Sequence, residues 1–265
     1  MKRLYILLFV ALCAVACQSE YHAYDTDVAG AKAIHAQNIP AIEEACRGKQ
    51  TIRFAFLSDT QRWYDETKDA VRALNERDDI DFVIHGGDMT DWGLRDEFER
   101  QRDMLQGLKV PYVVLLGNHD CLATGAMIYR TIFGAAHFAF TAGRVRFVAA
   151  NTNALEYRVE APVPDFDFLE QELAHYPAEA DCTVALMHAA PHTEQLYGEK
   201  ADRYHATMQR FPNLLVAIHG HGHSYEIREP FEDGLKYIQA DCIEKRNYLL
   251  FTINEEGCTH EQVFY

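Results

Sequence analysis

The sequence predicts an α/β fold with buried, partly parallel sheets. Two observations predict its architecture, and a third places its chemistry. Seven short apolar runs rich in β-branched and aromatic residues recur along the chain: "TIRFAFLS" (51–58), "IDFVIHG" (80–86), "YVVLLG" (112–117), "VRFVAAN" (145–151), "TVALMH" (183–188), "LLVAIHG" (214–220) and "YLLFTI" (248–253). Between the first three lie "DETKDAVRALNE" (65–76) and "LRDEFERQRDMLQGL" (94–108), with apolar residues at helical spacing and a charged outer face. Strand–helix–strand alternation of this kind builds sheets covered by helices. Five of the runs end in Asp, Asn, Gln or His, three of them beside glycine, and ligand sites in α/β folds gather at the carboxyl ends of strands.

Taken in order, residues 18–50 are polar and Ala-rich and read as a broken helical extension, interrupted at Pro40 and ended at Gly48. The region 51–265 follows as one domain, and no internal repeat or low-complexity linker divides it. Residues 135–155 read as a hairpin, "AAHFAF" and "VRFVAA" around "TAGR". That hairpin predicts a later half that is more antiparallel than the first.

Ahead of these elements, Lys2 and Arg3 precede the unbroken apolar run 4–16, which ends at "AVAC". This is the pattern of a signal peptide, and thirteen apolar residues are few for a membrane span. Cys17 after small residues resembles a bacterial lipoprotein cleavage site, so residues 1–17 are expected to be a leader with a lipidated Cys17. Ala14 departs from the Leu usual at that place, and ordinary secretory cleavage to a periplasmic product is the alternative. Either route places the protein in the cell envelope, with membrane contact through the anchor alone.

The chain carries 25 basic and 40 acidic residues, a formal charge of −15. Removing the leader takes two basic residues and no acidic one, which deepens it to −17. Nothing in that balance suits wrapping nucleic acid, which needs Lys/Arg stripes. Five cysteines follow Cys17, at 46, 121, 182, 242 and 258, without a CxxC pair. Small buried apolar residues are the favoured reading for most of them.

The strand-end groups are Asp59 and Gln61 in "SDTQ", Asp88 in "GGDMTD", Asn118, His119 and Asp120 in "GNHD", His188, and His221 with His223 in "HGHGHS". Mixed nitrogen and oxygen donors of this kind suit Mn, Fe or Zn better than a soft metal. Each block alone is weak, since Asp and Asn also serve tight turns. Five in order at strand ends are specific. The pattern D-x-(H/Q), GD-x-x-D, GNH(D/E), H, GHxH resembles the calcineurin-like metallophosphoesterase family over residues 51–225.

That resemblance implies a four-layer α/β/β/α sandwich of two mixed β-sheets flanked by helices, and a binuclear metal centre. It implies that Asp59, Gln61, Asp88 and His223 hold one ion, and that Asp88, Asn118, His188 and His221 hold the other, with Asp88 bridging. It further implies hydrolysis of a small phosphate ester, a phosphodiester by preference, by a hydroxide held between the ions. His119 would then protonate the leaving alkoxide or stabilise phosphate charge, and Asp120 would orient its imidazole. Gln61 stands where most relatives carry His. Its amide oxygen is a neutral donor like imidazole nitrogen, but a harder one, which shifts preference from Zn toward Mn, Fe or Mg. A lipid-anchored binding protein with a retained site and little turnover is the competing reading.

Outside the motifs, His85 and His219 are expected to pack or bond backbone, and Asp91 to cap a helix near Trp92. His192 in "HAAPH", with Trp63 and Tyr64, could meet substrate or cover the core edge equally well.

Overall fold

A computed structural model describes residues 22, 24–159 and 161–265. The leader and Cys17 lie outside these residues. Helices α1 (Ile34–Cys46), α2 (Tyr64–Asn75), α3 (Arg95–Leu105), α4 (Gly125–Ile132), α5 (Phe166–Ala174) and α6 (Glu199–Met208) pack around eleven strands. One sheet has the order β11-β10-β1-β2-β3 and the other β4-β5-β6-β7-β9-β8. Their strands are β1 (Ile52–Leu57), β2 (Phe82–His85), β3 (Tyr112–Val114), β4 (Phe138–Ala142), β5 (Val145–Ala149), β6 (Cys182–Leu186) and β7 (Leu214–His219). The rest are β8 (Glu226–Arg228), β9 (Tyr237–Gln239), β10 (Asn247–Asn254) and β11 (Gly257–Phe264).

Alternation along the strands sorts the core into three layers. Phe54 and Phe56 of β1, Phe82 of β2, Phe140 of β4, Phe147 of β5 and Phe251 of β10 meet between the sheets. Within a sheet their rings stack across paired strands, as Phe54 on Phe82 at 5.3 Å. Between sheets they meet edge-on, as Phe54 on Phe147 at 89°. The opposite face of β1, Ala55 and Leu57, packs under Ala70, Leu74, Phe98 and Tyr129 of α2, α3 and α4. The outer face of β5–β7 packs Val148, Ala185 and Ala217 against Leu169, Tyr204 and Met208 of α5 and α6. Three apolar layers between four layers of elements make the α/β/β/α sandwich that the motifs implied.

One expectation is corrected. The segment ending at Cys46 is one helix that runs through Pro40 rather than a broken arm. An interior proline costs about 3 kcal/mol, and the tertiary contacts of α1 offset it. The helix buries Ile34, Ile42 and Cys46 and lies across the edge strands of both sheets. Asn38 Nδ2 donates to the Tyr112 carbonyl at 2.8 Å, and Glu43 Oε1 accepts from Thr141 N–H at 3.1 Å. Exposed strand edges favour such covers. The later half is the more antiparallel one, as the hairpin predicts: β4–β5, β8–β9, β10–β11 and β1–β10 pair antiparallel, whereas β1–β2 and β2–β3 pair in parallel. Between the antiparallel edges of the second sheet, β5–β6, β6–β7 and β7–β9 pair in parallel. Crossovers through α5 and α6 return the chain in the same direction, as helical connections do.

Candidate metal centre

The carboxyl ends of β1, β2, β3, β6 and β7 converge at one end of the sandwich, and with them all seven expected ligands. The backbone there is bent in an unusual way. Asp59, Gln61, Asp88, His221 and His223 sit at φ of 55°, 26°, 56°, 73° and 53°. Positive φ is uncommon for non-glycine residues and costs on the order of 1–3 kcal/mol each where the conformation is sparsely populated. Five instances among seven expected ligands tie the strain to the site. Two glycines bring the loops close enough. A Cβ on Gly117 would run into Asp88, and one on Gly220 would run into Ser58 and Asp59.

The side chains fall into two groups with one member in common. Ligating atoms of Asp88, His188 and His221 lie within 4.8 Å of one another, and so do those of Asp59, Asp88 and His223. Asn118 joins the first group, its Oδ1 lying 3.0 Å from His188 Nε2 and 2.9 Å from His221 Nδ1. Gln61 is buried beside the second, held through its backbone. Its N–H donates to the Asp88 carbonyl at 3.0 Å, and its own carbonyl accepts from Gln101 Nε2 at 2.8 Å.

Outer contacts fix which nitrogen each imidazole presents. His188 Nδ1 donates to the Gly86 carbonyl at 2.8 Å, so Nε2 faces the site. His221 Nε2 donates to Glu194 Oε1 at 2.5 Å, so Nδ1 faces it. Partners of this kind orient metal-binding histidines. Glu194 was not legible in the sequence, since its loop carries no motif and lies 27 residues before His221.

His119 also lies at the site, its N–H donating to Asp88 Oδ1 at 2.9 Å. Its Nδ1 pairs with the Asp91 carbonyl at 2.9 Å, which leaves Nε2 for a substrate oxygen. The Asp120 carboxylate turns elsewhere. One oxygen accepts from Thr90 N–H at 3.0 Å and Thr90 Oγ1 at 2.9 Å, the other from Gly117 N–H at 3.0 Å. Asp120 braces the two loops that carry Asp88 and Asn118, and the Asp91 backbone orients His119.

The charges describe a cation trap. Burial alone lowers the pKa of His188, yet the Asp88 and Asp59 carboxylates more than offset it and raise the ring to about 10. Burial pushes Asp59 up, but His223 and His188 outweigh it and hold the carboxyl below its ordinary range. Burial and the neighbouring Asp88 raise Asp120 to about 6.

The residues fit a dinuclear divalent centre on two further grounds. Asp59 Oδ1 is buried with only the half-exposed His223 Nε2, 3.3 Å away, near it and no well-formed hydrogen bond, an acceptor left for an ion. The donor set of carboxylate, imidazole and amide oxygen is that of borderline-to-hard metals.

His85 bridges the motif loops as a neutral ring, pushed to about 4 by burial. Its Nδ1 accepts from Gly87 N–H at 3.1 Å, and Nε2 meets Thr60 Oγ1 at 2.9 Å. His219, also about 4 through burial, bonds the Gly220 carbonyl. His192 faces Phe231 and Asp202 rather than the ligands, and Trp63 packs on the outer core. Among the described residues all five cysteines are free.

Comparison with known proteins agrees with this geometry. A 52-residue segment is 40% identical to a probable cyclic nucleotide phosphodiesterase of Rhodopseudomonas palustris, and covers 19% of each chain. A dimetal phosphatase from Danio rerio superposes with a TM-score of 0.62 at 13% identity, over 81% of this chain and 99% of that one. The purple acid phosphatase of yellow lupin (Lupinus luteus) gives 0.61 at 17%, over 82% and 52%. The Plasmodium protein GAP50, an anchor in the inner membrane complex, gives 0.62 at 13%, over 82% and 85%. At such identities the likeness is one of fold. The family model of the calcineurin-like phosphoesterases matches residues 52–225, well over half of the chain. The chain belongs to the calcineurin-like phosphoesterase family and is a hydrolase acting on phosphoric esters.

Proposed function

We propose that the protein is a metal-dependent phosphodiesterase of the cell envelope, acting at a centre of two Mn, Fe or Zn ions. The observation that carries the reading is that one carboxylate, Asp88, belongs to both ligand clusters. Such an arrangement holds two ions close enough to clamp the entering and leaving oxygens of an in-line displacement.

When bound, the ions supply Lewis acidity and lower the pKa of water in contact with them. The remaining work falls to the chain. Asp88, Asn118, His188 and His221 would hold one half of the centre, and Asp59, Gln61, Asp88 and His223 the other. His119, tethered through Nδ1, presents Nε2 to the leaving oxygen, where it delivers a proton. Asp120 keeps the Asp88 and Asn118 loops in register through Thr90 and Gly117.

A diester is favoured because, among the described residues, the cationic side chains near the site already face carboxylates. Arg62, next in sequence to Gln61, faces Asp91 at 3.7 Å, and Lys245, whose Nζ donates to the His223 carbonyl at 2.7 Å, faces Asp241 at 2.7 Å. A monoanionic diester needs less compensation than a dianionic monoester. The partial relative named as a probable cyclic nucleotide phosphodiesterase points the same way.

The test is hydrolysis of bis(p-nitrophenyl) phosphate against p-nitrophenyl phosphate after loading with Mn²⁺, Fe²⁺ or Zn²⁺. The diester is expected to turn over faster, and folded protein inert toward both with every metal would overturn the reading. His119→Ala should lower kcat by about 10²–10³-fold with metal content unchanged, most for alkyl leaving groups that need a proton. Envelope placement is tested by Cys17→Ser, expected to move the protein from the membrane fraction to the soluble one.

A further inference from the structure

Among the described residues nine large apolar side chains are exposed, and they are not spread evenly. Six of them, Trp92, Met127, Leu155, Val159, Tyr197 and Tyr225, lie on connections that leave the carboxyl ends of β2, β3, β5, β6 and β7. The connections at the opposite end of the sandwich, 76–81, 106–111, 175–181 and 209–213, carry none of the nine. Exposed apolar residues scattered singly are ordinary, but their gathering on one end marks a surface that meets something other than water.

That end is the one that carries the metal centre, and printed-out contacts tie the loops to it. Trp92 follows Asp91, whose carbonyl holds His119 Nδ1 at 2.9 Å. Its own N–H donates to Glu97 Oε2 at 3.1 Å, so the 65% exposed indole stands on a fixed backbone. Met127 lies in the first turn of α4, and a Cβ on Gly125 of that turn would come within 2.8 Å of Gly93 Cα. In the loop of Leu155, Thr152 Oγ1 accepts from Ala189 N–H at 3.2 Å and Asn153 Nδ2 donates to the Leu116 carbonyl at 2.8 Å. Ala189 is next to His188, and Leu116 is two residues before Asn118. The loop of Tyr197 supplies Glu194 to His221.

The amino-terminal segment arrives at the same end. Asp25 pairs with Arg95 in the first turn of α3, Ala29 N–H donates to Glu99 Oε1 at 2.7 Å, and Arg102 reaches the Ala31 carbonyl at 3.3 Å. The segment therefore runs along α3, and Tyr24, 60% exposed, stands at the turn just after Trp92. Tyr24 is seven residues after Cys17. A chain covers at most about 3.6 Å per residue, so a lipid on Cys17 stays within about 25 Å of Tyr24. One lipid chain gives only marginal, reversible attachment, and a second contact is what makes it stable. Trp and Tyr are the side chains that settle at a membrane–water interface. Charge does not supply the attraction, because the chain without its leader carries −17 and Arg62 and Arg95 already face Asp91 and Asp25.

We propose that the catalytic end is itself a membrane contact, docking on a lipid bilayer with Trp92 and the exposed apolar side chains around it at the level of the headgroups. The lipid anchor is then not the sole contact, and the metal centre faces the headgroup layer. This rests on the envelope reading for the tether, though not for the docking.

The experiment uses residues 18–265, which hold every described element of the fold but neither leader nor Cys17, checked for folding by circular dichroism. Sedimentation with phosphatidylcholine vesicles should show reversible binding. Trp92→Ser and Leu155→Ser should each lower the partition coefficient about tenfold, the scale of withdrawing one large apolar side chain from water. Val110→Ser, at the opposite end, should leave it unchanged. Brominated phosphatidylcholine should quench the emission of Trp92, and Trp92→Ser should lose that quenching.

Absence of binding, or an equal fall in all three variants, would overturn the proposal. Binding that appears only when anionic phosphatidylglycerol is added would overturn it in favour of a charged contact. A dimer that Trp92→Ser dissolves, without vesicle binding, would overturn it in favour of an interface between two copies of this chain. Full-length protein held in washed membranes, with residues 18–265 failing to bind vesicles, would uphold the anchor and sink the docking surface. Vesicle binding by residues 18–265, with no lipid on Cys17 by mass spectrometry of the full-length product, would uphold the surface and sink the anchor.

Discussion

The two halves of the metal centre share Asp88 but are built to different standards. Around Asn118, His188 and His221, every imidazole has its outer nitrogen committed, to Gly86 in one case and Glu194 in the other. The His188 side chain is 0% exposed. Around Asp59, Gln61 and His223, the histidine side chain is 46% exposed and faces Asp59 Oδ1 at 3.3 Å. Gln61 is fixed only through its backbone. A preorganised shell loses less freedom when it takes up an ion. The buried half is accordingly expected to hold its ion more tightly, and the open half to be the one that exchanges.

The harshest test of that contrast removes what the halves share. Asp88→Asn takes a charged ligand from both clusters at once. Bound metal should fall from two ions per chain to below one, and turnover by at least about 10³-fold, the scale of losing a principal transition-state contact. Metal analysis after equilibrium dialysis reads the first and ester hydrolysis the second. If two ions stay bound, Asp88 does not bridge.

A milder break targets the feature that makes the buried half rigid. Glu194→Gln keeps the size of the partner of His221 but removes its charge. Affinity at the buried half should weaken about tenfold, the lower end for outer partners of metal-binding histidines. The open half, which has no contact with Glu194, should keep its affinity. Stepwise Mn²⁺ titration separates the two, and equal weakening of both would abolish the distinction between them.

The candidate ligands of both halves were legible in the sequence because their chemistry is local. Asp59, Asp88 and Asn118 each sit where an apolar run stops, and a parallel strand has one end at which such residues meet. The groups that aim them were not legible. Glu194 and the Asp91 carbonyl act across loops whose path no periodicity encodes. Asp120 looked like a partner of His119 because it is next in sequence, yet the short 3₁₀ turn His119–Cys121 sends its carboxylate to Thr90 instead. The same gap between local and tertiary information explains α1. Pro40 argued for a break on propensity, and packing against two sheet edges overrode it.

The finest test concerns Gln61 itself. Its position at φ 26° and its two backbone bonds fix the Gln61 backbone beside Asp88, so the half-site can be retuned without being rebuilt. An amide oxygen is a weaker and harder donor than an imidazole nitrogen toward Zn²⁺. Gln61→His should therefore raise Zn²⁺ affinity at the open half by about tenfold, the scale of about 1.4 kcal/mol, while leaving Mn²⁺ at the buried half within about twofold. Competitive titration with a chromophoric chelator measures both in one experiment. The gain belongs to the exchangeable ion, so the contrast between the halves should narrow rather than invert. Unchanged Zn²⁺ preference would mean that the side chain does not reach the ion, and that the open half is completed by Asp59, Asp88 and His223 alone.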